Sequence, residues 1–324
     1  MSVAMLAAPA APAAPAATDA ATVVSVTAHL MGGRVGVHLR PGAVGSADAA
    51  WLEGARVLRR MRAWADRLTR FSDSSDLARL NAAGSSSARV RPTLAAVLEW
   101  SRRASQATGG IVDVTLLDAR LAAEAGRAPG PGGADRSWEA RPDRRGATIA
   151  RRPGLRFDLD GVGKGWLADR AVALLDRHRA AVVDADGDVA ISLRHGETWR
   201  IGVAHPTDPG AVLATLELAG LAPNAAQRFG VATSGTSVHR WVRPTGVRHH
   251  LIDPRTERSA VTDVAQATVL AGSAAEAEAF AKAVVILGSE GALRLLDGPG
   301  LGGTLLLTER GEVLATPSLT RWLA

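Results

Sequence analysis

The stretch RFDLDGVGKGWLAD, residues 156–169, constrains the fold more than any other part of the chain. Its first residues, Phe157 to Asp160, alternate between apolar and acidic side chains, which predicts a strand with one buried face. After a glycine-rich turn, apolar residues recur at helical spacing, namely Leu167, Ala168, Ala171, Val172 and Leu175. The stretch therefore predicts a strand that enters a helix through a glycine turn carrying Lys164.

This glycine turn, residues 161–165, predicts a site for a phosphate. Strand, turn and helix together aim free backbone N–H groups and the Lys164 ammonium at one point. The turn is not a Walker A loop, because Asp158 stands where that motif needs its first glycine and Gly165 replaces the Ser or Thr that would hold magnesium. The alternative is a tight strand-to-helix turn with a surface lysine.

The use of lysine favours the phosphate interpretation. Lys164 and Lys282 are the only lysines in the sequence, and every other basic residue except histidine is arginine. A lysine in such a chain is expected to be there for its compact, point-like ammonium.

Composition narrows the class of protein. With 324 residues, 47% hydrophobic and 22% charged, the chain is typical of a soluble globular protein of one large or two ordinary domains. The net charge is +6, but the arginines form no basic block. An anionic small ligand explains this charge as well as nucleic acid does, so nucleic-acid binding is not expected. The absence of cysteine excludes disulfides, thiolate metal sites and a lipoprotein anchor. No apolar run reaches membrane-spanning length.

The first 21 residues are rich in Ala and Pro, with neither a basic start nor a leucine-rich core. They are expected to form a disordered leader rather than a signal peptide, and residues 22–324 are expected to form the folded domain. Without a signal peptide or a cysteine for lipid attachment, a cytoplasmic location is expected.

The rest of the chain predicts both helices and strands, with a run of successive strands from residue 181 to residue 270. A hairpin with an MGG turn is expected at residues 22–40, and residues 126–145 and 233–235 are expected to be a loop and a turn. Helices are predicted at residues 46–70 (Ser46 as N-cap, Trp51 and Leu52 on the apolar face), from about Ser75, at 93–107, at 273–287 (between a Ser273 cap and Gly288) and at about 291–296. Strands are predicted at residues 147–159, 181–193, 199–204, 212–218, 230–233, 239–242, 265–270 and 302–315.

Several short motifs occur in a fixed order along residues 28–317. They are MGG (31–33), SDLARLN (75–81), VDVT (112–115), DLDGVGKGWLAD (158–169), VVDADGDV (182–189), ATSG (232–235), HLIDPRT (250–256) and AEAFAKAVVILG (277–288). Taken together and in this order, they resemble the motifs of the FAD:protein FMN transferases, the ApbE family.

The resemblance implies a single α+β domain with a mixed β-sheet and packed helices. It also implies a transferase that cleaves FAD and links FMN to a Ser or Thr hydroxyl of a target flavoprotein, releasing AMP. Such a reaction is phosphoryl transfer, in which catalysis consists mostly of positioning and of neutralising charge on phosphate oxygens.

By resemblance, the site residues come from most of these motifs. Lys164 is expected to face FAD, Asp113 to contact it, and the Gly161 carbonyl to be a magnesium ligand. His250 is expected to contact FAD and to accept the proton of the incoming hydroxyl, its alternative role being a structural hydrogen bond at a strand end. The flavin cleft is expected to be lined by Met31, Ser75, Thr233, Ser234 and the 251–256 turn, which includes Ile252, Asp253 and Thr256.

Two acidic features have plain alternatives. Asp253 is more simply explained as a side chain that caps its own proline turn. The cluster of Asp184, Asp186 and Asp188 suggests a calcium loop, but it lacks a complete EF-hand pattern and predicts a polar β-turn instead.

The sequence departs from the family at the metal site. The family usually shows Asp and Thr on the late helix as side-chain metal ligands, and these positions are Glu278 and Lys282 here. Glu278 remains a candidate ligand, but an ammonium cannot ligate a cation, so Lys282 is expected to stand where the cation would, neutralising phosphate oxygens. Magnesium binding therefore stays open. The alternative functions are an FAD pyrophosphatase that releases FMN and AMP, and a non-catalytic flavin-binding protein with a decayed metal site.

Overall fold

The structure, a computed structural model, describes residues 4–5, 23–42, 46–128, 135–208, 210–244, 246–296 and 301–324. Of the predicted leader, only Ala4–Met5 lies within these residues, and it forms a two-residue strand. The rest of the leader lies outside the described residues. None of the described helices combines the length and the apolarity that crossing a membrane requires.

The described chain contains seven helices and eighteen strands, ten of which follow one another between α5 and α6. The helices are α1 Ala47–Leu68, α2 Asp76–Ala82, α3 Pro92–Ala107, α4 Leu117–Glu124, α5 Gly163–Val172, α6 Ala274–Leu296 and α7 Pro317–Thr320. The strands are β1 Ala4–Met5, β2 Val24–Leu30, β3 Gly33–Arg40, β4 Ser87–Val90, β5 Trp138–Asp143, β6 Gly146–Arg151, β7 Ala180–Ala185, β8 Asp188–Leu193, β9 Thr198–Ala204, β10 Val212–Ala219, β11 Gln227–Gly235, β12 Arg240–Arg243, β13 Gly246–His249, β14 Ile252–Asp253, β15 Arg258–Ser259, β16 Val264–Ala271, β17 Leu301–Thr308 and β18 Val313–Ala315.

The main sheet has nine strands in the order β1-β18-β17-β16-β11-β8-β7-β3-β2. The predicted α+β class is confirmed. The sheet was expected to be mixed, but each pairing that the structure describes is antiparallel. Antiparallel neighbours follow from tight hairpins such as β2–β3 and β7–β8, which join adjacent strands directly.

Both faces of the main sheet are covered. Helices α1, α5 and α6 pack on one face, and the β9–β10 pair packs on the other. Strand β7 shows how one strand serves two cores, because Ala181 and Val183 belong to the helix side whereas Ala180 and Val182 belong to the β9–β10 side. Alternate side chains of a strand point to opposite faces, so a strand covered on both sides is apolar throughout.

Serine side chains cap the starts of three helices, and two of these caps, Ser46 and Ser273, are predicted from the sequence. The Ser46 hydroxyl accepts a hydrogen bond from the backbone N–H of Ala49 at 3.1 Å, and the Ser75 hydroxyl accepts one from Ala78 at 2.9 Å. Ser273 precedes α6 and its hydroxyl accepts from the N–H of Glu276 at 3.3 Å. At the far end, Gly288 interrupts α6 with φ 76°, a left-handed conformation that glycine adopts without strain, so the predicted stop is confirmed.

The helical stripe of α5 is also confirmed, since Leu167, Ala168 and Ala171 are buried. The apolar face of α1 was predicted less well. Trp51 and Leu52 are about half exposed, because they lie outside the face that packs on β2 and β3.

The predicted strand that leads into the glycine turn is extended but joins no described sheet. Burial alternates from Phe157 to Asp160 as the sequence predicts. In place of a strand, the side-chain amide of Asn81 donates to the Phe157 carbonyl at 2.8 Å and accepts from its N–H at 2.7 Å. A side chain from α2 thus satisfies backbone groups that a neighbouring strand would otherwise pair.

Two other local predictions were wrong. The segment 126–145, predicted as a loop, contains β5, whose Trp138 ring packs edge-on against Phe157 with ring centres 5.3 Å apart. Residues 233–235, predicted as a turn, lie within β11, where pairing with β16 continues to Gly235. In both cases long-range packing overrides a local signal of small or polar residues.

Helices α5 and α6 cap one another. The Glu278 carboxylate of α6 accepts a hydrogen bond from the N–H of Gly165 in the first turn of α5, at 3.0 Å. In return, the Asp169 carboxylate of α5 accepts from the N–H groups of Ala274 and Ala275 at 2.9 and 3.0 Å. Each carboxylate lies at the positive end of the other helix, and burial raises the pKa of Asp169 to about 6 even though both N–H groups favour its charged form.

Gly165 allows this contact. A β-carbon at Gly165 would lie 2.5 Å from the Ala274 carbonyl oxygen and 2.8 Å from the α-carbon of Ala275. We expect Gly165→Ala to lower the free energy of unfolding by roughly 1–3 kcal/mol, as measured by denaturant titration, because backbone must move to admit the methyl group.

Gly163 provides the matched control in the same turn. A β-carbon there would meet nothing closer than the β-carbon of Leu159 at 3.9 Å. Gly163→Ala should therefore leave stability unchanged or raise it by up to about 1 kcal/mol. Equal stability of the two variants would contradict the close approach at Gly165.

Candidate active site

The only two lysines of the chain meet at one site. Lys164 lies in the first turn of α5, and Lys282 lies on α6 one helical turn after Glu278. The buried Asp188 lies within electrostatic range of both ammonium groups. The reciprocal capping of α5 and α6 thus brings together two residues that are far apart in sequence.

Lys164 is paired with the acidic turn between β7 and β8. Its Nζ donates to the Asp186 carboxylate at 3.1 Å. Asp186 and Gly187 form the turn with φ 61° and 94°, and Asp184 accepts from the Gly187 N–H at 2.8 Å. The acidic cluster is therefore a polar β-turn, as predicted. Its Asp186 side chain fills the space beside Gly33 of the MGG hairpin, where a β-carbon would lie 2.1 Å from the carboxyl carbon.

Lys282 lies along the glycine turn itself. A β-carbon on Gly161 would lie 2.0 Å from the Lys282 Nζ and 2.8 Å from its Cε, so the ammonium rests where a side chain would otherwise stand. Among the described residues, no carboxylate lies within 4.0 Å of this ammonium. It is half-buried and faces a cavity.

Arg120 of α4 is a charged site residue that the sequence analysis missed. It is 7% exposed, and its Nη1 donates to Asp158 at 3.2 Å and also to Asp160. Burial opposes ionisation of Asp160, but Arg120 and Lys282 outweigh it and hold the pKa of that carboxyl well below its usual range. The available signal was an arginine inside an otherwise apolar run of a short helix, ARLAA.

Two adjoining cavities share Arg120 and Asp158. The larger one, called here the Lys164 cavity, has a volume of about 340 Å³, and the smaller one, the Lys282 cavity, has about 50 Å³. The Lys164 cavity is lined among others by Met31, Phe71, Asp160, Lys164 and Leu167. The Lys282 cavity is lined among others by Asp113, Gly161, His250, Ile252 and Lys282. With Leu77, which also lines the Lys164 cavity, residues from six of the sequence motifs line these two adjoining cavities.

His250 is held with its Nε2 available. Its Nδ1 lies 3.1 Å from the carbonyl oxygen of Val238, and since a carbonyl only accepts, Nδ1 carries the hydrogen and Nε2 keeps the lone pair. The ring also packs edge-on against that of His239 at 5.3 Å. Burial and the neighbouring Lys282 charge lower the pKa of His250 to about 3, so the imidazole is neutral at neutral pH.

Asp113 lines the Lys282 cavity but is already engaged. Its carboxylate accepts from the Thr115 N–H at 2.8 Å and from the Arg136 guanidinium at 3.0 Å. Arg136 also pairs with Glu257 at 2.6 Å and donates to the Pro254 carbonyl at 2.9 Å. Arg136, which the sequence analysis did not single out, thereby ties the VDVT segment to the proline turn.

Three predicted site residues, Ser75, Asp253 and Thr256, line neither of the two cavities. Ser75 is 1% exposed, and its hydroxyl caps α2 while donating to the Thr69 carbonyl at 2.5 Å. Asp253 accepts from the Arg255 N–H at 2.8 Å, which is the turn cap given as its alternative role. Thr256 is exposed in the same turn.

Thr233 points to the face of the main sheet that β9 covers, which is opposite the face covered by α6. It lines a separate cavity of about 540 Å³ under β9, while its hydroxyl lies 2.8 Å from that of Thr268. Ser234 is the next residue of β11 and therefore points to the α6 side. The prediction that both line one cleft fails because it treated these residues as a turn.

The predicted magnesium ligands do not fit a divalent cation. The Glu278 carboxylate is bonded to the Gly165 N–H, and burial together with Asp188 raises its pKa well above the usual range. The ammonium of Lys282 lies against Gly161, where it would repel a cation. Within the described ranges, no three His, Asp or Glu side chains are grouped as metal ligands.

Asp188 gives this cluster a measurable pH dependence. Burial raises its pKa to about 7 from 3.8, although Lys164 and Lys282 act in the opposite direction. Between pH 3.8 and about pH 7, Asp188 of the folded protein holds a proton that the unfolded chain has lost. The contribution of Asp188 to the free energy of unfolding therefore declines as the pH rises through this range. We expect Asp188→Asn to remove this decline, which is up to about 1.4 kcal/mol in the free energy of unfolding per pH unit.

Denaturant unfolding of both proteins across this pH range measures the difference in slope. Asp73 lies exposed in the loop before α2, so Asp73→Asn is the control that should keep the wild-type slope. Parallel curves for the wild type and Asp188→Asn would contradict the raised pKa of Asp188.

Comparison with known proteins places the chain in a family. The sequence profile of the ApbE family matches residues 22–303. The FAD:protein FMN transferase of Treponema pallidum (strain Nichols) is 32% identical over 171 residues, which are 48% of this chain and 45% of that protein. The FAD:protein FMN transferase of Escherichia coli (strain K12) is 31% identical over 170 residues, 51% of this chain and 46% of that protein. The chain thus spans about half the length of the curated relatives it matches.

Solved structures show the same fold. The ApbE protein of Thermotoga maritima has a TM-score of 0.79 at 19% identity, covering 94% of this chain and all of the other (100%). The flavin transferase ApbE of Vibrio cholerae has a TM-score of 0.71 at 22% identity, covering 93% and 99%. On the profile match over most of its length and on the shared fold, the chain belongs to the ApbE family.

Proposed function

We propose that this protein is an FAD:protein FMN transferase. It cleaves the pyrophosphate of FAD, links FMN by a phosphoester to a Ser or Thr of a target flavoprotein, and releases AMP. Membership of the ApbE family and the names of the curated relatives support the activity. The observation that carries the proposal is the meeting of the only two lysines beside a glycine turn, in two adjoining cavities.

The charges suit a pyrophosphate. Lys164 lines one of the two adjoining cavities, Lys282 lines the other, and Arg120 lines both. Phosphoryl transfer needs positive charge that is already in place when negative charge moves onto the leaving oxygen. A phosphate oxygen would compete with Asp186 for the Lys164 ammonium, which is 23% exposed and therefore reachable.

The walls of the Lys164 cavity suit a flat aromatic ring. Met31, Phe71 and Leu167 present apolar surface there, and the ring of the 80% exposed Phe71 carries the Arg70 guanidinium 4.2 Å from its centre. Cavities of this size, lined by apolar groups with a few charges, are typical of cofactor sites. We place the flavin ring in the Lys164 cavity and the pyrophosphate at its boundary with the Lys282 cavity.

The transfer step balances without a further reactant. The acceptor hydroxyl oxygen forms a bond to the phosphorus on the FMN side, and the bond from that phosphorus to the bridging oxygen breaks. AMP leaves with the bridging oxygen, and the hydroxyl proton passes to Nε2 of His250. Burial is the main cause of the lowered pKa of His250, and Lys282 and Arg120 lower it further; phosphate charge beside these two cations would offset their part. A cytoplasmic location stays a prediction.

Product analysis tests this function. Purified protein is incubated with FAD and with soluble protein from its source cells, and AMP and covalently bound flavin are measured. We expect AMP together with a denatured protein band that keeps flavin fluorescence, and a Ser or Thr carrying FMN by mass spectrometry. AMP and free FMN without acceptor would identify a pyrophosphatase, and FAD binding without AMP would identify a non-catalytic flavin-binding protein.

The role of His250 is tested in the same assay. His250→Ala should lower the rate of AMP release by about 10²–10⁴-fold, since it removes the proton acceptor, and should leave FAD affinity by calorimetry nearly unchanged. His195, exposed beyond the end of β8, supplies the control His195→Ala, for which we expect wild-type rates. Wild-type turnover by His250→Ala would show that the histidine is structural.

A further inference from the structure

We propose that the Lys282 ammonium takes the place of a divalent cation at the bound pyrophosphate, so that this protein binds and cleaves FAD without magnesium. The inference rests on the proposed function, because it assigns a role within the same site. The residues expected to hold magnesium do not fit a divalent cation, and a lysine in place of the metal accounts for this.

The position of Lys282 is set by the backbone around it. The lysine stem runs along Gly161, with Nζ within 2.0 Å of where a β-carbon would lie. The ammonium is thereby presented to the Lys282 cavity, beside Arg120 and His250. A group held by a glycine turn on one side and by α6 on the other is preorganised, as a bound metal would be.

The two lysines differ in whether a carboxylate lies within ion-pair distance of the ammonium. Lys164 has Asp186 at 3.1 Å, whereas the described part of the chain places no carboxylate within 4.0 Å of Lys282. Asp160, whose pKa is lowered in part by Lys282, lies farther away and only contributes a favourable field. A half-buried ammonium without a direct counter-ion is costly in free energy. The Lys282 ammonium can therefore accept a negatively charged ligand as its counter-ion, and the phosphate oxygens of FAD supply that charge.

The same geometry keeps a metal away. An ammonium has three donors and no acceptor, so it cannot be a ligand. Glu278, on the same face of α6, keeps its carboxylate on the Gly165 N–H, where it caps α5 instead of reaching into the cavity. The positive charge that the transfer needs is therefore carried by the chain itself.

Calorimetry with inorganic pyrophosphate in excess EDTA tests the anion contact directly. We expect the wild type to bind, and Lys282→Met, which keeps the length of the side chain, to bind roughly 10- to 100-fold more weakly. Thermal unfolding of Lys282→Met checks that the variant is folded. Unchanged pyrophosphate affinity in folded Lys282→Met would overturn the proposal.

FAD is used for the comparison with magnesium, because free pyrophosphate itself complexes the metal. Wild-type FAD affinity and AMP release should be the same in excess EDTA and in excess magnesium. Lys282→Thr should lose affinity in EDTA and regain part of it in magnesium, because a hydroxyl can ligate a cation. Lys164→Met, the control at the second lysine, should weaken FAD binding without acquiring a response to magnesium.

A loss of tenfold or more in wild-type FAD affinity on adding EDTA would overturn the substitution of lysine for metal. Pyrophosphate binding that depends on Lys282, without any binding of FAD, would contradict the proposed function but support the role of Lys282. The two ideas therefore fail by different results.

Discussion

The reciprocal capping of α5 and α6 is the interaction on which the site depends. Two carboxylates, Asp169 and Glu278, each satisfy N–H groups at the start of the opposite helix. Buried N–H groups at helix starts are costly when unpaired, so the two helices cannot separate or slide without losing several hydrogen bonds at once. The distance between Lys164 and Lys282 follows from this register, as does the close contact at Gly165.

The capping also explains why the helix start does not act as a simple phosphate cradle. The first turn of α5 already holds the carboxylate of Glu278, so its N–H groups are only partly free. Affinity for an anion must then come mainly from side-chain cations, which agrees with the presence of Lys164, Lys282 and Arg120 in the walls of the two adjoining cavities. Burial among these cations and carboxylates moves the pKa values of Asp160, Asp188 and His250 in different directions, and this marks the cluster as chemically distinct from the rest of the protein.

Local signals in the sequence were sufficient for much of the fold. Helix caps such as Ser46 and Ser273 and the glycine turns of the hairpins act over a few residues, so they can be predicted from a single stretch. The order of the motifs gave the family, and seven of the predicted site residues line the two cavities, namely Met31, Asp113, Gly161, Lys164, His250, Ile252 and Lys282.

The misses share one physical cause. Each depends on contacts with distant parts of the chain. Examples are the hydrogen bonds between Asn81 and the Phe157 backbone, the burial of Arg120, and the opposite sheet faces to which Thr233 and Ser234 point. Ser75 satisfied a motif, but its hydroxyl serves as a helix cap. No spacing rule within the sequence distinguishes such a cap from a residue that touches a ligand.

The contact between Lys282 and Gly161 also constrains how this sequence can vary. The lysine stem fills the space in which a side chain at position 161 would begin. A β-carbon at position 161 would therefore displace the ammonium of a lysine at 282 from its place, whereas a shorter side chain at 282 leaves room for that β-carbon. The two positions are expected to change together in evolution, even though they belong to different motifs and lie more than a third of the chain apart.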